Sequence, residues 1–356
     1  MQVTHVAPTA PRSGTDALAR RARRARGCWI VLAALMVVAL VVSVMLGQYS
    51  LSPTQIGQLL AAGPSTDSAP AAILWGVRLP RIALAVCVGA GLAVAGTLMQ
   101  ALFTNPLAEP GVIGVSSGAA VGAALAIVTG VSHLSTLTVP AAAFLTGIAT
   151  TLLVYRLARS RGQARAVALV LTGVAVNAVA GAIISAAVYA APTTARDQIV
   201  FWQMGSLNAA TWSQVAAVAP VCLIGLVAAV GLAPRLDVLA LGERSARQVG
   251  LNTGRLRLVV VVVTALLTAA VVAFAGIITF VGLIVPHVLR LIVGPRNRTL
   301  VPLAAVGGAL LVSVADLAAR TLIPFSDLPI GIFTALVGGP TFFVLLRRAL
   351  ARGGQL

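Results

Sequence analysis

Residues 256–275 read LRLVVVVVTALLTAAVVAFA, twenty residues whose one charge, Arg257, stands at the start. About 20 mostly apolar residues are what a helix needs to cross a bilayer. Comparable runs occupy 28–47, 81–102, 112–130, 137–157, 166–190, 211–233, 278–294, 300–319 and 330–349. The count is about ten, with the third, eighth and ninth short or broken by Gly and Pro. Composition agrees. Of the 356 residues 59% are hydrophobic and 9% charged, and mean hydropathy is +1.01. A soluble surface needs roughly 25% charge, which excludes a water-soluble globule, and disorder needs low hydrophobicity. Ala-rich runs without 10-residue alternation argue against an outer-membrane barrel. The expected fold is an all-α polytopic membrane protein of one domain, 28–349. A basic cytoplasmic tail, 1–27, precedes it and a short cytoplasmic tail, 350–356, follows.

All 25 basic residues are arginine, and the net charge is +17. Without lysine there is no phosphate-binding loop of the G-x-x-x-x-G-K-[ST] type and no Schiff-base lysine. With the N-terminus in the cytoplasm and ten alternating spans, 21 arginines fall inside and 4 outside (Arg78, Arg81, Arg196 and Arg320). That asymmetry is the positive-inside pattern. It explains the charge better than a nucleic-acid partner does, and it predicts both termini inside a bacterial cytoplasmic membrane. The first apolar run follows Arg20–Arg26. It is longer than a signal-peptide core and lacks a clean A-x-A site, so it is expected to stay as a span.

Small residues recur every fourth position: Ala85, Gly89, Ala93; Gly114, Gly118, Gly122, Ala126, Gly130; Gly331, Ala335, Gly339. Such stripes let helix backbones approach closely in lipid. Cys28, Cys87 and Cys222 have neither disulfide nor metal-ligand spacing. Of eight acids only Asp316 lies well inside an apolar run, four residues before Arg320 and able to pair with it on one helix face. An ion-coupled carrier is expected to hold carboxylates near the midplane, which disfavours a self-energised secondary transporter. No catalytic motif is present, so the chain is not expected to be an enzyme or to bind a cofactor or metal. Pro286 and His287 predict a kink beside a buried, hydrogen-bonded histidine.

Energy must then come from another chain. Within the inside loop 237–252, Leu239, Leu241, Ala246 and Val249 can share one side of a short helix, with Glu243, Arg244 and Arg247 on the other. Gly250 ends it. Such a helix either docks on a soluble partner or lies on the membrane surface.

Several motifs carry a family resemblance. They are Arg78-Leu-Pro-Arg81; the run from Gly96 through Asn105-Pro106-Leu-Ala-Glu109-Pro110-Gly111 to Gly114 and Gly118; Phe201-Trp-Gln-Met-Gly-Ser-Leu207; Leu241-Gly242-Glu243 to Gly250; Phe280-Val-Gly-Leu-Ile-Val-Pro-His287; and Leu328-Pro-Ile-Gly331. In this order, from about residue 73 to 349, the chain resembles the FecCD permeases of ABC importers for ferric siderophores, haem and cobalamin. The resemblance implies a cobalamin-importer-permease-like bundle of ten helices. It implies a second permease subunit, identical or related, two cytoplasmic ATPase subunits that use ATP and Mg, and an extracytoplasmic binding protein. Leu241, Gly242, Glu243, Arg244, Ala246, Arg247 and Gly250 then become the segment that engages the ATPase. Arg78, Arg81 and Arg320, which alone would read as snorkelling side chains, become receptors for acidic side chains of the binding protein. Arg196 has no such counterpart. Asn105, Pro106, Pro110, Gly111, Gly114 and Gly118 form a rigid structural turn. The fifth span would face the dimer mate, with Thr172 and Asn177 as pathway candidates; Asn177 can equally bond a neighbouring helix. Arg159-Ser160-Arg161-Gly162-Gln163 is a candidate for part of the cytoplasmic gate. The expected cargo is a bulky ferric chelate, foremost a siderophore, with haem or cobalamin as alternatives.

Overall fold

The computed structural model describes residues 14–64, 68–160, 163, 164 and 166–351. The distal parts of both tails and the gate candidates Arg161 and Gly162 lie outside these residues. The described helices are α1 (Gly14–Met45), α2 (Pro53–Ala62), α3 (Ala69–Phe103), α4 (Val115–Val128), α5 (Thr138–Leu157), α6 (Ala166–Ala190), α7 (Thr193–Met204), α8 (Trp212–Leu239), α9 (Glu243–Gln248), α10 (Thr253–Ala275), α11 (Val281–Val293), α12 (Asn297–Thr321) and α13 (Ile330–Ala351). Between α5 and α6 lies a minimal hairpin, β1 (Arg159–Ser160) with β2 (Gln163–Ala164), antiparallel with Arg159 opposite Ala164. Each apolar run of the sequence has its helix. The basic stretch Arg20–Arg26 is not a separate tail segment but the first turns of α1.

Helix α3 is the axis of the bundle. It begins with a π-helical stretch, Ala72–Arg78, and is buried along most of its length. Helices α8, α10, α11 and α12 pack around it, while α1, α6 and most of α8 turn apolar faces outward. Glycine sets two close crossings of this axis. A Cβ on Gly89 would lie 2.1 Å from the Gly308 carbonyl oxygen of α12, and one on Gly96 would lie 1.9 Å from that of Gly282 in α11. Neither place admits a side chain.

Three expectations change. The ninth span is not short or broken: α12 is a continuous helix of 25 residues. Pro302 falls early in it, where little helical bonding is lost, and Gly307–Gly308 is a crossing point rather than a break. In the last span only Gly331 of the expected stripe meets a neighbour, the Met204 carbonyl. The close approach further along is at Gly338 against Phe280, not at Gly339. Gly130 takes φ +73° at the end of α4 and packs against nothing. The rest of the α4 stripe holds, with Gly118 and Gly122 seating Thr150 and Thr146 of α5.

Candidate functional site

The first cluster is the loop between α8 and α10. Gly242, at φ +104°, turns the chain sharply so that α9 is only six residues long. Its end is a Schellman closure: Leu251 N–H donates to the Ala246 carbonyl (3.0 Å) and Gly250 N–H, at φ +82°, to that of Arg247 (3.0 Å). Ala246 is fully buried and pins the segment to the bundle. Glu243 accepts from Arg247 Nη2 at 2.6 Å and from Thr253 Oγ1 at 3.2 Å, and lies 3.6 Å from Arg257 Nη2. Burial alone would push its carboxyl up, but the bonds from Arg247 and Thr253 and the charge of Arg257 outweigh that and hold it below the usual carboxylate range. The expected two-faced helix is corrected here. Leu239 and Ala246 face inward, but Leu241 (74% exposed) and Val249 (71%) face outward with Arg244. The reason is Gly242, which places Leu241 before the helix, and the closure, which places Val249 after it. The segment is an anchored knob with two apolar tips.

The second cluster sits where α1, α3 and α12 meet at the opposite end. Arg78, Arg81 and Arg320 are not solvent-facing side chains: they are 3%, 5% and 5% exposed. Arg78 donates to the carbonyls of Val44 and Met45 in the last turn of α1 and of Tyr49 beyond it. Arg81 Nε donates to Asp316 Oδ1 at 2.8 Å, and its Nη1 to Asp327 Oδ2 at 3.0 Å and Asn208 Oδ1 at 3.4 Å. Arg320 Nη2 donates to the Ser43 carbonyl at 2.6 Å, and its Nε lies 3.6 Å from Asp316 Oδ2, the same-helix pair that the spacing suggests. Gln48 ties the corner shut, donating to the carbonyls of Arg320 and Ile323 and accepting from Phe325 N–H at 2.9 Å. Gly47 lies against the guanidinium groups, where a Cβ would come within 2.9 Å of Arg78 Nη2 and press it aside. Sequence reasoning missed Asp327, Asn208 and Gln48, because each lies in a loop whose partner is distant in the chain. Arg196 also gains a place: it donates to the carbonyls of Val188 and Ala191 at the end of α6.

The third cluster is the turn after α3. Thr104 takes φ +49°, Asn105 Oδ1 accepts from Leu107 N–H (2.8 Å), and Pro110–Ile113 forms a 3₁₀ turn ended by Gly114 at φ +80°. Glu109 is half-buried, and burial raises its pKa. Asn177 of α6 belongs here. It donates to the Gly111 carbonyl (3.3 Å) and accepts from Ser117 Oγ (2.6 Å). These are bonds to a neighbouring element, as one of its two readings expects; Thr172 is half-buried on α6. His287 departs from expectation, since its buried Nδ1 has no hydrogen-bond partner among the described residues. The described residues contain no cluster of ligands able to hold a metal.

Among the described residues seven helices are long and apolar enough to cross a membrane and three more are shorter and apolar, with α3 buried among them; with an anchored knob at one end and an arginine–aspartate corner at the other, they fit a membrane-embedded permease subunit. The profile of the FecCD transport family matches residues 35–348, and the chain belongs to that family. It is 40% identical over 298 residues to the hemin transport system permease of Yersinia pestis, covering 82% of this chain and 88% of that one. It is 41% identical over 271 residues to the cobalamin import system permease of Halobacterium salinarum, covering 76% and 72%. It is 37% identical over 325 residues to the molybdate import system permease of Haemophilus influenzae, covering 90% and 95%. Among solved structures it matches an ABC transporter of the metal-chelate type in an inward-facing conformation, with a TM-score of 0.80 and 35% identity over 90% of this chain and 98% of that one. The protein is thus a multi-pass inner-membrane permease of an ABC importer. Its family implies a permease dimer with ATPase and substrate-binding partners. A self-energised carrier is set aside.

Proposed function

We propose that this permease imports a ferric chelate, foremost a ferric siderophore. It forms the pathway with a second permease subunit, while separate ATPase subunits hydrolyse ATP on the cytoplasmic side. The observation that carries the coupling role is the exposed knob of Leu241, Arg244 and Val249 on a base fixed by Ala246 and the Glu243 network. A rigidly held tip transmits a push; a loose loop would absorb it. Closure of the ATPases would move the segment and switch access to the pathway. The chelate reading is supported by two of the three relatives, named for haem and cobalamin where the third is named for molybdate, and by the metal-chelate transporter of matching fold. At the other end Arg78, Arg81 and Arg320 receive carboxylates of the binding protein. Because these guanidinium groups are buried and paired, docking proceeds by exchange. Asp327, the partly exposed partner of Arg81, gives way to an incoming carboxylate, so the cation is never left bare.

The test is uptake, by cells under iron limitation, of defined siderophores and haem labelled with radioactive iron and of cobalamin labelled with radioactive cobalt. Leu241→Asp combined with Arg244→Glu is expected to abolish uptake and ATPase co-purification while membrane insertion persists. Uptake of cobalamin but no iron chelate would overturn the cargo; full uptake by the double variant would overturn the coupling site.

A further inference from the structure

Helix α1 stands at the margin of the bundle and has two unlike faces. Ala25, Cys28 and Leu32 pack against the core, and Ala39 and Ser43 are buried further along. On the other side Arg23, Arg26, Ile30, Ala34, Val37 and Val41 follow one another at steps of three and four residues, all of them exposed. The stripe is apolar save for the two arginines at its start. From Gly27 to the end of the helix at Met45 the chain rises about 28 Å at 1.5 Å per residue, close to the roughly 30 Å of a hydrocarbon core. Arg23 and Arg26 therefore stand at headgroup depth. No carboxylate answers them. Arg20, Arg21, Arg23, Arg24 and Arg26 are exposed, and none has an ion pair or side-chain hydrogen bond among the described residues. Between residues 14 and 66 the one acid is Asp16, so five arginines leave a net charge of +4. The start of α12 adds cations, not acids. Arg320 of α12 meets Ser43 of α1, and counting back 23 residues from each gives Asn297 and Arg20, which places the two helix starts at about the same depth. Arg296 and Arg298 are exposed there, while Asp237 beside them is held by the backbone N–H groups of Asn297 and Arg298.

The inside excess of arginine explains which way α1 points. It does not require that these side chains lack partners, nor that two of them head the stripe that no other described residue covers. A cationic crown over a bare apolar stripe, at headgroup depth, fits a molecule with an anionic head and hydrocarbon tails. An acidic protein or a nucleic acid would meet the charges and leave the stripe uncovered. We propose that the outward face of α1 is a site for an anionic phospholipid, its phosphate held by Arg23 and Arg26 with Arg20 one turn below, its acyl chains along Ile30, Val37 and Val41. The proposal needs the membrane-embedded fold and neither the cargo nor the ATPase reading. A lipid so held would fasten α1, the least buried of the long spans, in the bilayer beside α12.

The experiment places the full-length permease, with the subunits that co-purify with it, in nanodiscs mixing phosphatidylcholine and phosphatidylglycerol, one or the other carrying brominated acyl chains. Bromine quenches tryptophan on contact. Trp29, exposed one turn above Arg26, reports on this face, and its share of the emission is the difference from Trp29→Phe. Brominated phosphatidylglycerol should quench that share more than brominated phosphatidylcholine does. The enrichment should fall about fivefold with Arg23→Gln or Arg26→Gln and about thirtyfold with both, one near-surface cation at a time. It should return in Arg23→Lys combined with Arg26→Lys. Arg20, Arg21 and Arg24 remain to orient the span, and gel filtration reports that each variant is intact. Equal quenching by the two lipids in the parent overturns the proposal. So does an undiminished preference in the intact glutamine pair, or a lysine pair that fails to restore it, which would assign the loss to helix shape rather than charge. Trp29 emission untouched by either brominated lipid would show the face covered by protein and overturn it as well.

Discussion

Asp316 carries a guanidinium group on each carboxylate oxygen, Arg81 on one and Arg320 on the other, all three nearly excluded from solvent. Removing the charge while keeping the shape isolates its contribution. Asp316→Asn leaves Arg320 without its carboxylate and Arg81 with Asp327 alone, and is expected to destabilise the subunit by about 3 kcal/mol, read as a fall in the thermal midpoint of detergent-purified protein. Asp327 differs because it is partly exposed. Asp327→Asn is expected to leave the midpoint nearly unchanged but to tighten binding-protein docking severalfold in a binding titration, since the competing carboxylate is gone; weaker docking would contradict the exchange. Glu243 gives a pH signature. Its folded pKa is held below the ordinary value of about 4.3, so its contribution is complete above that value and is lost as pH falls through the folded pKa. Hydrogen exchange over 243–250 is expected to quicken only in acid below the usual carboxylate range, and Glu243→Gln should exchange quickly at all pH values. Acids at useful spacing were legible in the sequence, as the 316/320 pair shows. Asp327 and Asn208 were not, because loop closure, not spacing, brings them to Arg81.

Among the elements, helix identity was readable nearly throughout, because about 20 apolar residues admit few other structures in a bilayer. Helix contacts were readable only in part. The stripe of α4 marks a true seam, but that of the last helix does not, since a periodic pattern states which face is narrow and not whether a neighbour occupies it. Gly96 gives the sharpest contrast. Gly96→Val would force a side chain into the Gly282 backbone, and the loss is expected to exceed the roughly 1–3 kcal/mol of ordinary overpacking, seen as failure to recover monodisperse protein. Gly231→Ala, with nothing near its Cβ, should be recovered as the parent is. The coupling segment shows the same limit: its residues were identified by their order, but two positive-φ glycines decide which of them point outward.

For the whole molecule, α6 is the most exposed of the long spans apart from α1. Leu171, Val174, Val179 and Ile183 all face outward. In a dimer built on this helix, single cysteines at Val174 or Val179, in a chain whose native cysteines are replaced, are expected to give a disulfide-linked species of twice the mass in membranes. Cysteine at Leu223, equally exposed but on α8 rather than α6, should not. Crosslinking only at Leu223 would move the interface.

Composition and period alone determined that this chain is a bundle of about ten apolar, membrane-crossing helices, that it lacks a lysine-dependent nucleotide loop, and that a short turn-bounded helix lies within the loop 237–252. These follow from local chemistry: hydropathy, charge and turn residues act within a few positions of themselves. The tertiary structure alone decided that the outer arginines are sheathed rather than bare, that Asn177 braces a turn, and that the face of α1 headed by Arg23 and Arg26 is the outward one. Burial and ion pairing depend on groups brought together from hundreds of positions apart, which only the closed bundle does.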